Sequence, residues 1–222
     1  MMVHSIRRGS VGAALIAVLG VVAALLPAAA QSQEALQVEV RAGITAGNHS
    51  TSAAGFDFAP RLSFDLLFRR QVAPGIGAYG GFLRTSFGCN QPETFCHQSG
   101  DAPALKLVGN HIVVGGEWSP AGMADAPARP WVRAGVMYGS AGMTRGADND
   151  PETHPDPEMG IGIHTAVGLS VGTGSFLFVP SVTRRQMAAS QPAEGGGGSA
   201  DDATASAYSI DLAIALRIGG GS

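Results

Sequence analysis

The sequence predicts an all-β protein, an eight-stranded antiparallel up-and-down transmembrane β-barrel. Apolar and polar residues alternate with a period of two in eight segments, which is the pattern of strands that have one apolar face. Clusters of Gly, Pro, Asn and Asp separate these segments, and the connections are alternately long and short. Only 14% of the residues are charged, which is less than a water-facing surface usually carries.

The first 30 residues have the organisation of a secretory signal peptide. Arg7 and Arg8 precede an apolar run that ends at Leu26, and the alanines at 28–30 then fit a cleavage site. The apolar run is shorter than the roughly 20 residues that a membrane-spanning helix needs, which argues against an uncleaved anchor. We therefore expect a cleaved signal peptide at 1–30 and export of the rest of the chain.

Residues 31–222 have the length of a single barrel domain. The whole chain has 14 basic and 17 acidic residues, with a formal net charge of −3 at pH 7. Because the basic residues form no block, nucleic acid is not expected as a partner. No later stretch is long and apolar enough to predict a spanning helix, so any span is expected to be made by strands.

The eight alternating segments define the predicted strands. The last is the clearest, since every position from Tyr208 to Ile218 obeys the alternation. The pattern is weaker in the glycine-rich third segment, where three residues are assigned to the face opposite Arg84, namely Tyr79, Leu83 and Phe87. The predicted strands lie at about 36–45, 61–70, 76–88, 106–118, 130–140, 160–171, 175–187 and 208–218.

The connections between these strands alternate in length, as in membrane barrels with extended outer loops and tight periplasmic turns. Short turns are expected at 71–75 and 172–174. The fourth connection, residues 119–129, should be short by this rule but has about 11 residues. The long connections are 46–60, 89–105, 145–159 and 188–207.

Alternation alone does not tell which face of the strands points outward. A soluble lipocalin-like barrel buries its apolar faces, whereas a membrane barrel turns them to lipid. The opposite face is rich in Gly, Ala and Ser and poor in Lys, which favours a membrane barrel with a narrow lumen. Eight strands leave no room for a channel, so the charged residues of the inner face are expected to pair as a salt-bridge plug. These residues are Glu39, Arg41, Asp65, Arg69, Arg84, Glu117, Arg133, Asp211 and Arg217.

Aromatic residues near the strand ends suggest the two interfacial girdles of a membrane barrel. The predicted outer girdle contains Phe87 and Tyr138. The predicted periplasmic girdle contains Phe68, Trp118, Trp131 and Phe176. Because only 6% of the residues are aromatic, scattered core aromatics are the alternative.

Cys89 and Cys96 are the two cysteines of the chain. An even number of cysteines in an exported protein favours a disulfide, and here it would staple a polar loop that contains Pro92. A metal site using both cysteines and His97 is the alternative, but no fourth ligand lies at a suitable spacing. We predict a disulfide and no metal or cofactor.

These features together resemble the small eight-stranded outer-membrane barrels, the outer membrane protein A and opacity-protein group. The resemblance covers about residues 35–218 and is carried by the signal peptide, the eight segments, the loop pattern and the final strand. This chain differs in ending its final strand on Ile218 rather than on an aromatic residue. The resemblance implies an outer-membrane monomer whose partners are outer-membrane lipids, lipopolysaccharide and the barrel-assembly machinery.

The leading interpretation of function is a structural or surface-interaction role, with a closed polar lumen, long extracellular loops and no enzyme activity. One alternative is a barrel for lateral uptake or binding of small hydrophobic molecules, and another is a soluble periplasmic lipocalin-like binder. A lipid A-modifying enzyme is the third, because His97 and Ser99 have the spacing of a base and a hydroxyl nucleophile. His111 and His164 are expected to be hydrogen-bonded packing residues of the lumen.

Overall fold

The computed structural model describes residues 36–49, 57–88, 105–123, 126–145, 158–191 and 201–219. One compact unit, Leu36–Ile218, contains all eight strands. Their bounds are β1 Leu36–His49, β2 Asp57–Ala73, β3 Ile76–Gly88, β4 Leu105–Trp118, β5 Ala128–Arg145, β6 Glu158–Val171, β7 Phe176–Gln191 and β8 Asp201–Ile218. Among the described residues, no helix is long and apolar enough to cross a membrane.

The strands form a closed up-and-down barrel, as the sequence predicted. Each strand pairs antiparallel with the next, and β1 pairs with β8. Following the cross-strand partners once around the barrel leads from Gln37 to Gly47, which is ten residues further along β1. This stagger tilts the strands, and with only eight strands it leaves an interior that side chains can fill.

Most strands extend beyond the predicted bounds at the end that carries the long connections. β8 begins at Asp201 rather than near Tyr208, and β5 continues to Arg145. The extension of β8 is built from Asp, Ala, Thr and Ser and has no large apolar residue, so its alternation of Ala with Thr and Ser did not mark it as a strand. Pairing with β7 continues to Gln191 and Asp201, because backbone hydrogen bonds do not require apolar side chains.

The short connections lie together at the opposite end of the barrel. Pro74 and Gly75 form a two-residue turn, and Gly75 has a φ of 75°, which favours glycine. The fourth connection contains a short 3-10 helix, Ala121–Met123, which accounts for its unusual length. The amide of Ser119 donates a 2.8 Å hydrogen bond to the carbonyl of Gly75, which links this connection to the neighbouring turn.

The outer surface of the barrel is apolar. Large apolar side chains alternate outward along the strands, and Ile161 and Ile210 are 71% and 75% exposed. The charged and polar residues between them are buried inside. This arrangement is the inverse of a soluble barrel, so the structure favours the membrane barrel over the lipocalin-like alternative.

Strand β3 corrects one sequence prediction. Leu83 pairs with Asp65 and His111, which both face the lumen, so Leu83 faces the lumen as well. Arg84 therefore points outward and is exposed, although it was predicted to belong to the inner charge network. The error arose because half of the outward positions of β3 are small residues, Ala78, Gly80 and Ser86, so apolar character did not identify this face.

Two predicted girdle aromatics are also inside the barrel. Trp131 and Phe87 are both buried in the lumen. The other predicted members, Phe68, Trp118, Phe176 and Tyr138, do lie on the outer surface. The two corrections have one cause, since an aromatic residue near a strand end can occupy either face and only the register decides which.

Candidate functional site in the lumen

A chain of ion pairs crosses the middle of the lumen. The Nε atom of Arg69 lies 2.6 Å from one oxygen of Glu117, and the Nε atom of Arg133 donates to the other at 2.8 Å. Both terminal nitrogens of Arg133 also donate hydrogen bonds to the carboxylate of Glu39, at 2.8 and 3.1 Å. A single arginine on β5 thus connects carboxylates from β4 and β1 across the barrel.

The chain continues from Glu39 along β1 to β8. Arg41 is ion-paired with Glu39, and its other terminal nitrogen lies 3.7 Å from a carboxylate oxygen of Asp211. Thr183 accepts a 3.2 Å hydrogen bond from Arg41 and donates its hydroxyl hydrogen to Asp211. The network therefore extends from Arg69 on β2 to Asp211 on β8 without a break.

A second, separate pair lies closer to the outer end. Arg185 donates to Asp65 at 2.6 Å and to the hydroxyl of Thr85 at 2.8 Å. All of these side chains are almost completely buried. Charges are tolerated in such an interior only when they are paired and hydrogen-bonded, because each unpaired ion would cost several kcal/mol.

Aromatic rings pack against the arginines of the network. The guanidinium carbon of Arg133 lies 4.2 Å from the centre of the Trp131 ring and 5.5 Å from that of Tyr79. Arg41 lies 5.8 Å from the ring of Trp131. These contacts place a negative ring face beside each cation and help fix the orientation of both guanidinium groups.

Glycines make room for the large side chains of the lumen. A Cβ atom on Gly168 would lie 2.5 Å from the ring of Trp131, and one on Gly43 would collide with the carboxylate of Asp211. A large lumen residue on one strand therefore occupies the space above a glycine on the next strand. The chain has 32 glycines, and these positions show one physical use for them.

Apolar clusters lie on both sides of the charged belt. The outer cluster includes Phe87 and Leu107, which pair with each other close to the loop ends of β3 and β4. The remaining members of this cluster are Leu67, Tyr79, Leu83, Val113, Met137, Ala141, Met187, Ala189, Ala205 and Ala207. The periplasmic cluster is Trp131, Ala166, Leu177, Val179, Ala213 and Ala215. Among the described residues, the lumen that was predicted to be polar is therefore apolar in part, with these two clusters on either side of the ion-pair chain.

Seven of the nine predicted network residues are buried in the lumen, six of them in the ion-pair chain and Asp65 in the separate pair with Arg185. These are Glu39, Arg41, Asp65, Arg69, Glu117, Arg133 and Asp211. Arg84 is on the outer face, and Arg217 is half-buried at the periplasmic end of β8. His111 and His164 are both buried in the lumen.

Sequence reasoning missed two lumen arginines. Arg185 has the same parity as Ser181 and Thr183, which were assigned to the inner face, so extending that alternation would have found it. Arg129 was placed in the fourth connection, whereas β5 begins one residue earlier and turns it inward.

Several predicted features lie outside the described residues. These are the signal peptide, the Cys89–Cys96 disulfide and the His97–Ser99 pair. Within the ranges that the structure describes, no group of three or more His, Cys, Asp or Glu residues is arranged to hold a metal ion.

Comparison with known proteins identifies the fold. No protein-family model and no curated protein matches the sequence. Among solved structures, Neisserial surface protein A superposes with a TM-score of 0.54 at 11% identity, covering 82% of this chain and 97% of that chain. This chain has the fold of the small outer-membrane barrels.

Two further outer-membrane barrels resemble it less closely. Ail, the attachment invasion locus protein of Yersinia pestis, has a TM-score of 0.48 at 11% identity, with 83% of this chain and 100% of that chain covered. The outer membrane protein OprG from Pseudomonas aeruginosa has a TM-score of 0.48 at 12% identity, with 86% and 99% covered. The closed eight-stranded barrel and its superposition on Neisserial surface protein A confirm the fold predicted from the sequence, and an identity of 11% limits that likeness to the fold.

Proposed function

We propose that the protein is a surface barrel of the outer membrane with a closed lumen, whose role is carried by its long outer connections. The observation that supports this most strongly is the continuous ion-pair chain from Arg69 to Asp211. It joins five strands, β2, β4, β5, β1 and β8, across an interior that is already narrow, and apolar clusters lie in the lumen on both sides of it. We infer that a lumen packed in this way does not let ions or solutes cross the membrane.

The proposed orientation follows from the connections. The connections β2–β3, β4–β5 and β6–β7 are at the end where β1 begins and β8 ends. The connections at the other end include 89–104 and 146–157. In bacterial barrels the short turns face the periplasm and the long connections face outward. The outward segments are therefore the parts available to partners outside the cell.

Solute permeation tests the closed lumen. Purified protein is reconstituted into liposomes, and swelling is followed with small sugars of increasing size. We expect no swelling above that of protein-free liposomes, and liposomes that contain a general porin serve as the positive control. Swelling in a small sugar would contradict a closed barrel and point instead to a channel.

A second candidate function is binding or lateral uptake of small hydrophobic molecules, which the outer apolar cluster favours. Phe87, Leu107 and Ala141 make the loop end of the lumen apolar, as an apolar ligand would require. The test is accumulation of a fluorescent apolar probe by cells that produce the protein. Ala141→Trp would block this end of the lumen and lower uptake, whereas Ala134→Trp on the outward face of the same strand would not.

Lipid contacts are proposed for the outer face. Arg184 is exposed on β7, pairs with Tyr208 of β8, and its guanidinium carbon lies 5.9 Å from the tyrosine ring centre. An arginine beside an interfacial tyrosine suits the phosphate groups of lipopolysaccharide at the membrane surface. Replacing Arg184 by Gln should weaken co-purification of lipopolysaccharide with the barrel, and an unchanged amount would contradict this contact.

A further inference from the structure

The buried charges of the lumen do not balance. Five arginines are buried among the described residues, but only four acidic residues are. The arginines are Arg41, Arg69, Arg129, Arg133 and Arg185, and the acids are Glu39, Asp65, Glu117 and Asp211. Four of the arginines are ion-paired with these acids. Arg129 is the remaining cation.

Arg129 is buried without hydrogen-bond partners for most of its guanidinium group. The residue is 6% exposed, and neither its Nε nor its Nη2 atom has a partner among the described residues. It is the second residue of β5, so it lies at the periplasmic end of the lumen, opposite Ser170 of β6. A buried guanidinium without an acceptor is costly, because its hydration is lost and not replaced.

The nearest carboxylate is already used by other arginines. Arg129 is close enough to Glu117 to feel its charge, and also to feel the charges of Arg133 and Arg217. One oxygen of Glu117 is 2.6 Å from Arg69 and the other accepts from Arg133 at 2.8 Å. Arg129 therefore adds a further guanidinium group near a carboxylate that two other arginines already share.

Other unpartnered donors lie at the same end. Trp131 follows Arg129 on the inward face of β5, and its indole N–H has no acceptor among the described residues. The side-chain NH₂ of Gln37 is also without a partner, and Gln37 is directly opposite Arg217 in the β1–β8 pairing. These groups are all donors. The acceptor at this end that also lacks a hydrogen bond, one oxygen of Glu117, lies 2.6 Å from Arg69 in an ion pair, so the donors outnumber the acceptors.

We propose that the periplasmic mouth of the lumen is a binding site for a small soluble oxyanion, a phosphate or a carboxylate, held by Arg129. A guanidinium group donates two parallel hydrogen bonds to such an anion, which matches the free Nε and Nη2 pair. One bound anion would balance the fifth arginine. Because Arg129 faces inward, a lipid headgroup on the outer wall of the barrel does not reach it.

Thermal unfolding with inorganic phosphate tests this site. The full protein, folded in a zwitterionic detergent, is heated in phosphate or in chloride at matched ionic strength. We expect a saturable rise of about 2–4 °C in the unfolding midpoint with phosphate, since ligand binding to the folded state stabilises it. Arg129→Gln should abolish this rise, and the outward-facing Arg84→Gln should retain it.

Two results would overturn the proposal. One is no phosphate-specific rise in the wild-type protein, and the other is an equal rise in Arg129→Gln, which would mean that phosphate acts elsewhere. Should Arg129→Gln fail to fold, the Nε–Hε resonance of Arg129 in the wild-type protein decides the matter. It should move on titration with phosphate or acetate, and a resonance that stays unmoved contradicts the site. These measurements do not depend on the closed lumen or on membrane orientation.

Discussion

The hydroxyl of Tyr79 on β3 lies 2.8 Å from Nδ1 of His164 on β6, although two strands separate them. The ring of Tyr79 spans this distance by lying along the wall over Gly115 and Gly135. Both glycines stand on the same row of cross-strand partners as Tyr79 and His164. The hydrogen bond therefore depends on the absence of side chains at two intervening positions.

Replacing Gly135 by Ala should destabilise the barrel. The new Cβ atom would lie 2.6 Å from the hydroxyl of Tyr79 and 2.6 Å from the carbonyl oxygen of Val114. Overpacking of this kind costs about 1–3 kcal/mol. The measurement is the free energy of unfolding in urea with lipid vesicles present. Gly116→Ala is the matched control, because its Cβ would meet only one atom, at 3.9 Å, and should change stability little.

Removing the charge of Glu39 should be strongly destabilising, because Arg133 and Arg41 would both lose their shared acceptor. Breaking a buried pair by removing one partner costs about 3–5 kcal/mol. Glu39→Gln is expected to show this loss in urea unfolding. The double variant Glu39→Gln with Arg133→Met should lose less than the two single losses added together. Additive losses would show that the two residues are not coupled.

Introducing an arginine on the outer face should destabilise the barrel in the middle of the apolar belt and should have little effect outside it. Val40 lies midway between Leu36 and Ile44, the first and last large apolar residues on the outward face of β1. Val40→Arg should lower the free energy of unfolding in vesicles by about 2–4 kcal/mol, which is the cost near the bilayer midplane. Met123→Arg, in the short 3-10 helix outside the strands, should cost almost nothing. Equal effects at both positions would argue against a lipid-facing belt.

The cysteines give a prediction that concerns the outer connection between β3 and β4. If Cys89 and Cys96 form a disulfide, the denatured protein will not react with iodoacetamide until it is reduced. Mass spectrometry of the alkylated protein should then show no added groups before reduction and two after it. Alkylation without reduction would indicate free thiols.

Much of the fold was predictable because a strand with one lipid-facing side requires apolar residues at every second position, and this alternation is visible in the sequence. In β8 the alternation from Tyr208 to Ile218 is complete, and its faces are as predicted. In β3 the outward positions include Gly80 and Ser86, so hydrophobicity did not distinguish the faces and Arg84 was misplaced. There, the register with β4 sets the orientation, and a single sequence does not reveal register.

The inner site was predictable as a set of charges but not as a network. Alternation identified most of the buried acids and arginines. Which of them pair depends on which residues lie at the same height in the barrel once the sheet has closed. Arg129 was missed because the start of β5 could not be separated from an unusually long turn. The glycines next to Trp131 and Tyr79 lie on other strands, so their positions also depend on the register between strands.

A membrane barrel requires an apolar outer surface that faces lipid. The most direct test is to fractionate the cell envelope and to run the protein on a denaturing gel with and without boiling. We predict that it is found in the outer-membrane fraction and that its mobility changes on boiling, because a closed barrel resists detergent until it is heated. Protein found soluble in the periplasm, with the same mobility in both samples, would contradict the account.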